Sequence, residues 1–150
     1  DRSSPSSARR RGTDFTQMDA GLWFTQAKAD LESANNDMHP LTGKPAYEWV
    51  CYKCYRAVEK ALRAYHYFKG NGKLPASDIH GLLLGVDTNI RDIAFRFCNF
   101  IGNEANSMQY PGIARFGKTP NEVFPLTKAE QALEYGKELL KLVEDIIYAS

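Results

Sequence analysis

The chain has 150 residues, 43% of them hydrophobic and 25% charged, enough for one globular domain with a true core and too few for two. Nineteen basic against eighteen acidic side chains leave a formal net charge of +1, which argues against a general basic field that coats nucleic acid and confines any anion site to a local patch. Apolar runs such as Leu82-Leu83-Leu84 fall far short of the ~20 residues a membrane span needs, and three cysteines argue for a reducing compartment, so a cytoplasmic setting is expected.

Residues 1–16, with Ser3-Ser4-Pro5-Ser6-Ser7 and Arg9-Arg10-Arg11, carry almost no apolar side chains to bury. They are expected to form a flexible linker ahead of a domain over residues 17–150. With no initiator Met and no charged-then-apolar leader pattern, the chain reads as a segment of a longer polypeptide.

From Asp19 onward, Ala20, Phe24, Ala27, Leu31, Ala34 and Met38 recur on one helical face, which predicts a first helix from about Asp19 to Met38. Pro40, Gly43 and Pro45 stop it. A second helix is predicted from Ala46 or Tyr47 to about Lys69, ended by Gly70-Asn71-Gly72 and packed antiparallel on the first. Between Asp78 and Gln109, Ile79, Leu83, Val86, Ile90, Ile93, Phe97 and Ile101 keep the helical period, although Gly81 and Gly85 weaken its first turns. The prediction is a short helix and then a long one starting near Asp87. Three prolines and two glycines between Tyr110 and Pro125 predict an irregular loop, long enough to suggest a functional role. Thr127-Lys128-Ala129-Glu130 reads as a capping box that opens the last helix, with Leu133, Gly136, Leu140, Val143 and Ile147 along its face. No segment alternates at period two. The expected fold class is all-α, an up-and-down bundle of four principal helices plus a short extra one.

The second helix carries the chemistry. At about 100° per residue, Val50, Cys54, Ala57, Ala61, Tyr65 and Phe68 fall on one side, and Lys53, Arg56, Lys60 and Arg63 on the other. The nearby acid on that helix is Glu59, too little to neutralise four cations. Two readings stay open. Either the bases reach acids on neighbouring helices, or they hold a phosphate, for which arginine forks and lysine point charges are apt. Tyr52 flanks the ladder and is placed to stack on a base. Arg115 and Lys118, in the long loop, are candidates to close over the same site, and Asn35 and Asp37, at the end of the first helix, to meet a ribose or a water.

Other chemistries find less support. Cys51-Tyr52-Lys53-Cys54 has the CxxC spacing, but no second CxxC or HxxxH completes a zinc site, so Cys51, Cys54 and Cys98 read as buried small hydrophobes. Glu138, Glu144 and Asp145 share a face with lysines, where i, i+4 pairing is the simpler account. Lys69-Gly70-Asn71-Gly72-Lys73 lacks the spacing of a phosphate loop.

The pattern as a whole resembles the HEPN domain, a helical nucleotide-binding module, over roughly Asp19 to Tyr148. The resemblance rests on Trp23-Phe24, Ala27, Leu31 and Ala34, on Ala57-Val58-Glu59-Lys60-Ala61-Leu62-Arg63-Ala64, and on Tyr110-Pro111 before the last helix. Ala20 to Phe24 and Glu48 to Tyr55 are most similar to the HEPN domain of a giant cytosolic co-chaperone, in which a J domain and a linker precede it. The resemblance implies a homodimer that binds GTP or ATP in a basic cavity, with contact to chaperone machinery through neighbouring domains. Structural dimerisation or client docking without nucleotide is the alternative. Many HEPN proteins are RNases with an Arg-x(4–6)-His motif; no arginine of this chain has a histidine at that distance, so the domain is expected to be non-catalytic. The family's Arg-Tyr-Pro-Asp motif reads Gln109-Tyr110-Pro111-Gly112.

Overall fold

The computed structural model describes residues 5–71, 74 and 78–149, with side chains from residue 19 onward. Among the described residues five α-helices follow in order: α1 Pro5–Asp37, α2 Tyr47–Lys69, α3 Thr88–Phe100, α4 Pro120–Val123 and α5 Leu126–Ile147. Two 3-10 turns, His80–Leu82 and Ala105–Met108, flank α3. The described residues contain no strand, in agreement with the all-α class predicted. The linker expected over residues 1–16 lies outside the described side chains. The α1 backbone starts at Pro5, ahead of the predicted Asp19, and proline suits a first helical turn because its missing N–H would have no partner there. Among the described side chains, Ala20 is the first that is fully buried.

The centre of the bundle is α2, which packs chiefly on α1 and α5. That position explains why it buries more than the single predicted stripe. Val50, Cys54, Ala57, Ala61 and Tyr65 are buried as expected, while Phe68, the last residue of the predicted stripe, is half-buried; Cys51, Tyr55, Val58 and Leu62 form a second buried strip. A helix between two neighbours has two apolar sides, whereas a one-face reading of its sequence finds one. Gly70 ends α2 in the left-handed region at φ 71°, donating its N–H to Tyr67 O, while the Asn71 N–H reaches His66 O at 3.0 Å. At Gly136 of α5 a Cβ would stand 2.8 Å from Leu31 Cδ1, so a larger residue there would push the Leu31 side chain of α1 aside.

Polar clasps hold the connections to this core. Tyr55 Oη donates to Asn103 O at 2.6 Å and accepts the Ile79 N–H at 3.2 Å. The Asn103 side chain accepts the His80 N–H at 3.1 Å and donates to Asp78 Oδ2 at 2.8 Å. One asparagine thus ties the 3-10 turn to the segment after α3. Tyr65 Oη donates to Asp87 Oδ1 at 2.8 Å and accepts the Asp87 N–H at 3.3 Å, which fixes the start of α3. His66 is buried with both ring nitrogens engaged, Nε2 2.6 Å from Leu82 O and Nδ1 2.8 Å from Asn71 Nδ2.

Three details after α2 differ from the sequence prediction. The short helix expected before Asp87 is a single 3-10 turn, since Gly85 sits at φ 77° and breaks the run. An extra helical turn instead forms inside the predicted loop, as α4. The capping arrangement belongs to α4 as well: Glu122 accepts the Thr119 N–H and hydroxyl, each at 3.1 Å, and these bonds hold its carboxyl below the usual carboxylate range. Thr127 lies within the first turn of α5, whose N-cap is Pro125.

Candidate functional site

The cationic ladder runs along the side of α2 that meets α1, and it is half-buried rather than freely solvated. Lys53 Nζ lies 2.6 Å from Asp37 Oδ2 and donates to Ser33 Oγ at 2.8 Å. Lys60 Nζ lies 2.6 Å from Asp30 Oδ2. Glu59 serves two arginines, its Oε1 2.7 Å from Arg56 Nη1 and its Oε2 3.3 Å from Arg63 Nε. The acids that the second helix lacks are therefore supplied largely by the last turns of α1. Among the described residues, the four cations meet three carboxylates, those of Asp30, Asp37 and Glu59.

Aromatic rings frame these charges. The Arg56 guanidinium carbon sits 5.3 Å from the Tyr52 ring centroid and 6.0 Å from that of Tyr55, and its Nε donates to Tyr52 Oη at 3.2 Å. Burial works against the Arg56 charge, but hydrogen bonds to Tyr52 and Glu59 outweigh it and raise the guanidinium pKa above its usual value. Trp49 meets Tyr52 edge-on at 5.5 Å. Trp23 of α1 stacks on Tyr67 at 6.1 Å with Arg63 over its face.

A cleft of about 330 Å³ opens between the two helices, lined by Trp23, Asp30, Tyr52, Lys53, Arg56, Glu59 and Lys60. It joins four of the predicted site residues, Tyr52, Lys53, Arg56 and Lys60. Arg63 lies one turn further along, outside the lining. Lys118 is engaged elsewhere, 3.7 Å from Glu122, with its carbonyl accepting the Gly112 N–H at 2.9 Å. Arg115 is exposed and accepts the Lys118 N–H on its carbonyl. Asn35 lines a different hollow, of about 350 Å³ between α1 and α5, whose floor of Phe24, Leu31 and Leu140 is mostly apolar and which no ladder residue lines. Asp37 serves Lys53. Sequence reasoning missed Trp23, Asp30 and Glu59 as lining residues. The signal for Asp30 and Asp37 was their seven-residue spacing, which matches that of Lys53 and Lys60.

The three cysteines are free and buried. Desolvation pushes the Cys51 and Cys98 thiols up to about 12 and raises Cys54 as well. All three are expected to resist a thiol reagent at pH 8 in the folded protein and to react together on unfolding, as an Ellman titration with and without denaturant would show. Fast labelling of the native chain would contradict the burial. Among the described residues no group of three His, Cys, Asp or Glu is placed to hold a metal ion, and no helix is long and apolar enough to cross a membrane.

The class of domain is an all-α bundle built around a central helix, here with a paired cationic face turned toward α1. The chain belongs to the HEPN family, whose domain model matches residues 20–146. It is similar to human sacsin, 27% identical over 127 residues, an alignment that covers 78% of this chain and 3% of sacsin. The chain thus spans a small fraction of that relative. Its fold matches the crystal structure of ST0689, an archaeal HEPN homologue, with a TM-score of 0.65 and 22% identity, over 85% of this chain and 97% of that one.

Proposed function

We propose that this HEPN domain is a non-catalytic nucleotide-binding and homodimerisation module of a sacsin-like cytoplasmic co-chaperone, with GTP or ATP as ligand. The observation that carries the reading is the α1–α2 cleft, which sets three cations beside two aromatic rings. Lys53, Arg56 and Lys60 supply phosphate contacts, Tyr52 or Trp23 supplies a face for the base, and Arg63 adds charge one turn away. Dimerisation and contact with chaperone machinery are inferred from the family resemblance. The sequence carries no motif for magnesium ligands and a positioned water, and the site is proposed to bind nucleotide without hydrolysing it.

A second reading has its own support. Each ladder cation has a carboxylate within 3.3 Å, as expected of a surface whose role is to fasten α2 to α1 in a docking domain. Calorimetric titration with GTP and ATP at two salt concentrations, on protein whose oligomeric state is fixed by sedimentation, separates the two. Saturable binding that weakens with salt supports the nucleotide site. No heat from a folded dimer favours the docking domain.

A further inference from the structure

Asp30 lines the cleft, and Asp37, outside its lining, holds a lysine that faces it, so both occupy ammonium groups an incoming anion would use. Asp30 and Asp37 approach the lysine nitrogens at 2.6 Å, as close as or closer than a phosphate oxygen would come in a charge-assisted hydrogen bond, about 2.7–2.9 Å. Aspartate and phosphate therefore compete for the same ammonium groups. Glu59 is different: it bridges Arg56 and Arg63 within α2 and is mostly covered. The two aspartates come from α1 and each meets one lysine; Asp37 is 37% exposed, whereas Asp30, at 18%, is nearly as covered as Glu59.

Resting on the nucleotide reading above, we infer that Asp30 and Asp37 are internal competitors of the phosphate chain and set the affinity of the cleft. Neutral partners ease the exchange. Asp30 Oδ1 also accepts from Gln26 Nε2 at 2.8 Å, so it keeps a donor when Lys60 turns away. Lys53 keeps Ser33 Oγ at 2.8 Å, so it stays anchored to α1 when Asp37 is displaced. Lys53 and Lys60 are two helical turns apart, about 10 Å along the axis, with Arg56 between them. A chain of phosphates can engage Arg56 together with a flanking lysine, whereas one phosphate displaces an aspartate for a single new contact. The repulsion each aspartate exerts also scales with the charge of the ligand. Removing an aspartate charge should thus tighten binding most for the most highly charged nucleotide.

The experiment is calorimetric titration of the full chain and of its Asp30→Asn and Asp37→Asn variants with GTP and with GMP at two salt concentrations, with thermal melts to confirm folding. In Asp30→Asn the amide oxygen can still accept from Gln26. Each variant is expected to bind GTP about threefold to tenfold more tightly than the parent, with a smaller gain for GMP and a smaller gain at high salt. If the parent binds and both variants bind equally or more weakly, the aspartates support the site rather than compete for it, and the inference falls while the nucleotide reading stands. Silence from all three proteins overturns the nucleotide reading and the inference with it. Should one variant fail to fold, the other carries the same comparison.

Discussion

Tyr55→Ala is expected to cost about 4–5 kcal/mol, a large part of the stability of a domain this size, because it combines a core cavity with two broken clasps. The Tyr55 ring is 2% exposed and packs against Phe97 at 6.3 Å between centroids, so its removal leaves a void among groups that cannot fully relax. Its hydroxyl binds Asn103 O and the Ile79 N–H. Truncation leaves a buried donor without a partner, at about 1–3 kcal/mol. Tyr55→Phe separates the contributions: it keeps the ring and should lose only the hydrogen-bonding part, about 1–2 kcal/mol. The same hydroxyl is covered enough that desolvation raises its pKa well above the ordinary tyrosine value. Urea unfolding of the three proteins is the measurement. Equal midpoints for Tyr55→Phe and the parent would show that the clasp contributes nothing, and a folded Tyr55→Ala with an unshifted midpoint would remove Tyr55 from the core.

That residue also shows where sequence reading stops. The helices themselves were legible, because a helix that buries one face writes a 3.6-residue period into its apolar positions, as Ala20, Phe24, Ala27, Leu31 and Ala34 do. Tyr55 was not on the predicted stripe, since the second buried side of α2 interleaves with the first and blurs the period. Asn103 left no pattern at all. Its bonds reach residues 23, 25 and 48 positions away, and such contacts are fixed by how segments meet after folding. Thr119 and Thr127 both precede a glutamate by three residues, and nothing local in the chain says which of the two caps a helix. The ladder was visible as charge on one face, but whether those charges were paired depended on the rotation of α1 that brings Asp30 and Asp37 against them. Sequence spacing named the cations; packing supplied their partners and the aromatic wall contributed by Trp23.

Replacing Lys53, Arg56 and Lys60 together by glutamine is expected to weaken GTP binding by a hundredfold or more, since three charge-assisted contacts at about 1.5 kcal/mol or more each would be lost, with some non-additivity among neighbours. Glutamine is chosen over glutamate because reversal at Lys60 would set a new carboxylate against Asp30, which now lies 2.6 Å from the ammonium, and would confound lost binding with repulsion inside the fold. The triple variant still faces a cost: Asp30 and Asp37 lose their lysines, while Glu59 keeps Arg63. Asp37 is 37% exposed, so losing Lys53 should cost about 1 kcal/mol or less; Asp30 is 18% exposed and keeps the Gln26 amide, so losing Lys60 should cost about 1–3 kcal/mol, which the urea midpoint reads directly. Arg115→Gln with Lys118→Gln is the matched control. Lys118 pairs with Glu122 and both residues are exposed, so removal of the two loop charges should leave affinity within about twofold, by weak screening alone. Calorimetry on the parent, the ladder variant and the loop variant, with urea midpoints for each, then assigns the charge. Equal loss in both variants would mean that the loop closes over the ligand and rearranges to do so. Loss of stability in the ladder variant without loss of binding would place the anion elsewhere and leave the ladder as the fastening between α1 and α2.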